Sequence, residues 1–443
     1  MAIAPLGAQP AVNTDSSKTP TQQPVTIQYL RAQDARGINV FEAPKEAGVA
    51  YTGFKLAWGA AFTQQFQGIT HENTADSVFV AAVNPSPGNA GSVANANKNR
   101  LMTIGNGFNN ATANLFMHAQ LAKGIRVQLT SYLSARHHNE TWVKDGFIQI
   151  DDSPLDIKAL NTLMKYATLK IGHFEVNYGD FHFRRSDNGQ ALYNPFVGNA
   201  IMEAFTTEVG VEAQLRHKGL MGVVAMTNGE IRGNIARPAD RAPAYMAKLG
   251  FDRQLNSDLR VRLTGSVRTQ KSAISNTLYA GDRAGSRYYY VLENDKATES
   301  ANFTSGAINP GFSDKSNSYM INPFVKFHGL ELFGMYEGAK GRSAPDNTPE
   351  REVKQYMAEA VYRFLPGEKV YVGGRWNQVE GDLGGLNKAI TVSRSNIAAG
   401  WFITQSLELK GELVDQRYTG FAKSDIRNGG RFKGFVIEAV TAF

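Results

Sequence analysis

Residues 434–443 read GFVIEAVTAF, and this stretch decides the fold. Phe435, Ile437, Ala439 and Phe443 fall on one side of an extended strand, with Gly434, Glu438 and Ala442 on the other. A period of two belongs to a strand, whose successive side chains leave the pleat on opposite faces. One face is apolar, the other is mixed, and the strand finishes on an aromatic. Such a strand completes either an ordinary soluble sheet or a barrel whose outside meets lipid. The rest of the chain separates the two.

At 443 residues there is room for two or three soluble domains or for one large barrel. The absence of cysteine removes a disulfide scaffold, a thiolate metal site and a cysteine nucleophile. The 43 glycines and 17 tyrosines favour β architecture with many turns. A mean hydropathy of -0.32 excludes a helical membrane protein. No apolar run reaches the roughly eighteen residues that a transmembrane helix needs. A spanning barrel needs none, because each strand shows lipid only every second residue. The net charge of +7 would point a soluble protein toward nucleic acid. The lysines and arginines are dispersed about one per strand, however, with no basic block interleaved with aromatics, so no nucleic-acid partner is expected.

The start of the chain, AIAPLGAQPA, has the small residues around Ala8 that end a secretory signal. NTDSSKTPTQQP after it has the composition of a disordered tail. Residues 1–25 are therefore expected to be a signal remnant and tail. Residues 26–50 are expected to be an ordered leader, periplasmic or lumenal, and residues 51–443 an outer-membrane barrel.

In GFKLAWGAAFTQQFQG, residues 53–68, Phe54, Leu56, Trp58, Ala60, Phe62 and Phe66 alternate with Lys55, Ala57, Gly59, Ala61, Thr63 and Gln65. This is apolar-out, polar-in patterning. The same rhythm recurs along the chain, with tight connections such as HKG, QLNSD, HG, LPGEK and TQS alternating with long ones. About sixteen strands of about ten residues result: an all-β, transmembrane, antiparallel up-and-down barrel. Short turns would face the periplasm together with both termini, and long loops the outside. One short connection, SPLDIKALNTLMKYA, has helical spacing at Leu160, Leu163 and Met164, with Ser153 as cap and Pro154 at the first helical position.

If one strand face meets lipid, the other lines a lumen whose charges set selectivity. In LRVRLTGSVR, residues 259–268, Leu259, Val261, Leu263, Gly265 and Val267 share a face, leaving Arg260, Arg262 and Arg268 inward. The same phase places Arg126, Arg136, Lys170, Arg216, Lys248, Arg375 and Lys410 inward. Guanidiniums stay charged and grip phosphate or carboxylate bidentately, so the set favours anions. The competing reading pairs them with Glu208, Glu212, Glu359, Glu408 and Glu412, which point the same way. Arg136 and Arg268, near strand ends, also suit lipopolysaccharide phosphate. The third long connection, DFHFRRSDNGQALYNPFVGN at 180–199, is the candidate constriction loop, with Arg184, Arg185 and Asp187 among aromatics.

The stretches ETWVKDGFIQID, LKIGHFEVNYG, GLELFGMYEGAKGR and GWFITQSLELKGEL carry a resemblance. The organisation resembles the phosphate-selective porins, the phosphate and polyphosphate channels of Gram-negative outer membranes. That resemblance implies a homotrimer of water-filled channels in the bacterial outer membrane, passing phosphate-like anions.

Catalytic patterns are thin. His137, His138 and Glu140 lie in an expected loop without a further ligand nearby. There is no phosphate-binding glycine loop and no serine elbow. No enzyme, cofactor or metal is expected; calcium on loop carboxylates is the one ion left open. The expected function is passive diffusion of small hydrophilic, anionic solutes. The alternative is a plugged structural or partner-binding barrel.

Overall fold

The computed structural model describes residues 25–45, 48–80, 96–134, 136, 141–155, 157–231, 235–282, 285–343, 349–384 and 389–443. Sixteen strands form the wall: β1 (Lys55–Glu72), β2 (Thr112–Ala122), β3 (Ile125–Leu133), β4 (Thr141–Ile150), β5 (Ala167–Glu175), β6 (Thr207–His217), β7 (Leu220–Thr227) and β8 (Ala244–Gln254). The second half is β9 (Leu259–Gln270), β10 (Lys315–Phe327), β11 (Leu330–Arg342), β12 (Arg351–Phe364), β13 (Val370–Gly381), β14 (Ile390–Thr404), β15 (Leu407–Thr419) and β16 (Arg431–Ala442). Each pairs antiparallel with its sequence neighbours, and β16 pairs with β1 over Ala61↔Ala442 to Glu72↔Arg431. The sheet is closed. Backbone bonds of 3.0 Å in both directions between Ala60 and Phe443 finish the seam. A two-residue strand, Gly107–Phe108, leans on β1 and belongs to the first long loop.

Closure gives each strand a hydrogen-bonded neighbour on both sides, which is how a wall in a low-dielectric surround satisfies its peptide groups. The outer face shows that surround. Leu249 is 70% exposed, Ile397 66% and Leu413 59%, although all three lie within strands. Aromatics gather at both rims of this band. Phe54, Phe327, Tyr362, Trp401 and Phe443 stand on the turn side. Tyr319, Tyr336 and Tyr356 touch one another on the loop side, at centroid distances of 5.8 and 5.3 Å. An apolar belt between aromatic girdles is the exterior of a barrel seated in a bilayer.

Several strands run longer than about ten residues. β1 has 18 and β14 has 15, and polar outward residues such as Lys340 and Glu352 carry the wall past the belt. The short helix also differs from its sequence pattern. It spans Lys158–Met164, and Ile157 stands at its N-cap without a side-chain bond. Ser153 instead closes a local turn onto Leu155, which delays the helix. β5 ends at Glu175, before Tyr178, because the chain there leaves the wall and turns inward. His137, His138 and Glu140, like residues 1–24, lie outside the described residues.

The interior is not uniformly polar. Two long connections, 176–206 and 271–314, fold into the barrel and bring their own apolar side chains. Tyr178, Phe181, Val197, Ile201, Met202 and Leu278 pack on inward Met320, Phe324, Phe333, Met335 and Met357. Leu192 and Phe196 pack on Ala61, Tyr371, Ala398 and Val440. Inward apolar residues of the β7–β16 wall are thus covered by loop rather than by water.

Candidate pore and its constriction

The leader crosses the turn end of the barrel from the inside. The Gln28 amide donates to Gln120 at 2.9 Å, beside the β2–β3 turn. Ala35 donates to the Gln405 carbonyl at 2.9 Å, at the β14–β15 turn. Asn39 reaches Glu331 at 2.6 Å, Arg216 donates to the Ala43 carbonyl at 2.6 Å, and Lys45 donates to the Asp151 carbonyl at 2.7 Å. A segment without period is thereby ordered by polar groups at five of the turns.

The inward cations fall into two groups. On the β8–β9 wall, Arg262 binds Asp180 with two bonds of 2.8 Å and Glu42 at 2.8 and 2.9 Å. Lys248 lies 2.6 Å from Asp180 and 3.4 Å from Glu42. Arg260 is bidentate to Asp252, at 2.7 and 2.6 Å, and also holds the Asn39 carbonyl at 2.9 Å. This cluster ties the leader and the start of the lumenal loop to one patch of wall. Burial by itself would raise the carboxyls of Glu42 and Asp180, but Arg262 and Lys248 hold both below the ordinary carboxylate range.

The far wall holds the rest of the loop. Arg375 pairs with Glu359 at 2.7 Å and donates to the Gly198 carbonyl at 2.5 Å. Lys410 lies 3.0 Å from Glu438 and donates to the Ala191 and Asn194 carbonyls at 2.7 and 2.8 Å. Arg268 pairs with Glu208 at 2.5 Å, inside the loop end of the barrel. Arg136 donates to the Ser300 carbonyl and stacks on Phe303 at 3.4 Å.

Within the loop, Arg184 reaches Glu359 at 3.4 Å and Glu331 at 3.7 Å. Arg185 reaches Asp282 at 2.6 Å, with Glu203 and Asp187 both at 3.3 Å. Gly189 marks the loop's close approach to the wall, where a Cβ would meet the Ala61 carbonyl oxygen at 2.7 Å.

One open space is a cavity of about 190 Å³ between the loop, the leader and the β3–β6 wall; a second, of about 440 Å³, lies at the turn end against the leader, Arg216, Arg260 and Arg262. Arg126 and Lys170 line the first, together with Arg31 of the leader. Lys170 pairs with Glu212 at 3.3 Å. Arg126 is bound to neutral partners, Gln149 at 2.6 Å and Gln128 at 3.3 Å. Arg31 donates to the Gly37 carbonyl at 2.7 Å and the Phe183 carbonyl at 3.0 Å, and stacks on Tyr193 at 3.8 Å. Neither Arg31 nor Arg126 has a carboxylate within ion-pair distance among the described residues. Two of the acids there are occupied, since Lys144 lies 2.7 Å from Glu175 and 2.5 Å from Asp187, while buried Asp145 also lines the cavity.

Period-two reading passed over Arg31 and Lys144 for separate reasons. Arg31 sits where no period exists. Lys144 is the extra residue of a bulge opposite Thr130 and Ser131, so Lys144 and Asp145 both turn inward. A cluster of three or more histidine or acidic side chains able to hold a metal does not occur among the described residues.

A closed antiparallel barrel of sixteen strands, belted with apolar side chains and filled with charge, is a transmembrane β-barrel of the bacterial outer membrane. Solved structures of similar architecture accompany that conclusion. OmpT, an outer membrane protein of Vibrio cholerae, is 10% identical over 89% of this chain and 99% of its own, with a TM-score of 0.48. An anion-selective porin from Comamonas acidovorans is 8% identical over 88% and 100%, with a TM-score of 0.49. The outer membrane channel DcaP of Acinetobacter baumannii is 11% identical over 89% and 99%, with a TM-score of 0.49. No family model and no curated protein matches the chain. At these identities the likeness is one of fold, and the chemistry of the interior belongs to this chain's own residues.

Proposed function

We propose that the chain is a passive diffusion channel for small hydrophilic anions, with its path along the β3–β6 wall. The observation that carries this reading is the pair of guanidiniums, Arg31 and Arg126, lining the cavity without carboxylate partners. A solute anion would find two fixed positive charges there, while Lys144 holds Glu175 and Asp187. Charged donors in a narrow aqueous site replace part of a solute's hydration, yet a shared, shallow site still releases it. Lys170 adds a cation to the same wall. Arg216, Lys248, Arg260, Arg262, Arg268, Arg375 and Lys410 would set the surrounding field while holding loop and leader in place, and Arg184, Arg185 and Asp187 would fix the loop side. Phosphate, the solute implied by the family resemblance, belongs to this proposal, as do a homotrimer, lipopolysaccharide as a neighbour and short turns facing the periplasm.

Arg126→Glu tests the reading. The variant should move the reversal potential in a potassium chloride gradient toward potassium, and an unmoved potential would remove Arg126 from the path. A second reading, a plugged barrel, is favoured by the leader crossing the turn end. Under it, the full chain carries no current and a chain beginning at residue 46 does.

A further inference from the structure

The cavity has a feature that an inorganic anion does not call for. Its two sides are aromatic, and each holds a cation against its rings. On the barrel side, Phe147 and Phe174 meet edge to face at 6.4 Å, and Lys170 lies 5.5 Å from the Phe147 centroid. On the opposite side, Phe183 of the loop meets Phe41 of the leader edge to face at 5.9 Å. Arg31 lies 3.8 Å from the Tyr193 ring and 5.9 Å from that of Phe183. Arg126 stands on the barrel side with its charge unpaired. A strongly hydrated phosphate can use the same guanidiniums, but where it meets the phenyl rings it gives up water with no hydrogen bond in return. A ring-bearing carboxylate does not, because its ring replaces water against the phenyl faces while its charge meets a guanidinium fork.

We propose that this cavity is a binding site for a small aromatic carboxylate, an anion of the benzoate class. Its ring would lie between the Phe147 and Phe183 sides and its carboxylate on Arg126. The size agrees, since the cavity is about 190 Å³ and an apolar protein cavity of about 150 Å³ takes up benzene. The proposal rests on the reading above that the cavity lies on the solute path, and it narrows the solute within the anions.

The test uses the full chain in planar bilayers, with sodium benzoate, sodium acetate and inorganic phosphate added in turn to a chloride current. Benzoate should reduce the current at concentrations about tenfold lower than acetate or phosphate require. Phe147→Leu and Phe183→Leu should each shrink the benzoate-to-acetate ratio several-fold, while Arg126→Gln weakens both carboxylates and leaves the ratio standing. Equal potency of benzoate and acetate overturns the proposal even if the channel is anion-selective. If no current is found, the diffusion reading fails by itself. Benzoate binding by titration calorimetry on the detergent-folded chain then decides the site, and absent or acetate-like binding rejects it.

Discussion

Arg262→Met attacks the tether that closes most of the lumen, and its size can be worked from the bonds removed. Arg262 donates two bonds of 2.8 Å to Asp180, bonds of 2.8 and 2.9 Å to Glu42, and one of 3.2 Å to Asp252. Without it, three carboxylates face only Lys248 and Arg260, and one negative charge is stranded where Glu42 and Asp180 have almost no contact with water. Breaking a buried pair from one side costs about 3–5 kcal/mol. The sixteen-strand ladder does not depend on this charge, so the cost falls on docking of the leader and loop. A loss of about 3 kcal/mol multiplies the undocked population roughly a hundredfold. The Gly179 amide, bonded to Ser266 at 3.1 Å, and the Asp180 amide, bonded to Asn322 at 2.9 Å, report that opening directly. Hydrogen exchange followed by mass spectrometry on the detergent-folded protein should show peptides over 178–184 exchanging roughly a hundredfold faster. Strand peptides from β13 to β15 should be unchanged. Adding Glu42→Gln should recover part of the protection, because the stranded charge goes with it. Exchange within about threefold of the parent would refute the argument that this cluster holds the loop.

Leu249→Arg places a charge on the lipid face in the middle of β8, beside inward Lys248, and should cost about 2–4 kcal/mol in urea-dependent folding into vesicles. A cost no larger than that of an exposed loop substitution would deny the lipid belt. Gly179→Ala puts a Cβ, at a φ of +71°, against the Met320 sulfur at the point where the chain turns inward. It should destabilise loop docking by about 1–3 kcal/mol, seen as new tryptic cleavage after Arg184 or Arg185. An unchanged digest would mean that this turn is not under constraint. Arg417→Met removes an exposed partner of Asp415 and should leave the folding midpoint unchanged, since such pairs contribute about 0–1 kcal/mol.

The wall was legible because a barrel strand writes its two environments into alternate residues. Phe435 and Ile437 face outward and Val436 and Glu438 inward, as the period requires. Loop alternation then gave the even strand count. The interior was harder to read, for physical reasons. Arg262 and Glu42 stand 220 positions apart, and nothing local in either stretch marks the partner, so a period shows that a cation points inward but not what it meets. Inward Phe324 and Phe333 are out of place in a watery lumen until the loops that cover them are seen. Arg31 depends on a leader ordered only by groups at distant turns, and Lys144 depends on a bulge that breaks the alternation. The charges that hold the loop and those that face the cavity look alike in sequence. Only their partners distinguish them.

The reversal potential of the purified full chain in planar bilayers, under a gradient of potassium chloride, tests the central claim most directly. A steady conductance is expected, with a potential displaced toward the chloride equilibrium value and set by Arg31 and Arg126. A folded, detergent-stable barrel that carries no current, or one whose potential moves toward potassium, would contradict it.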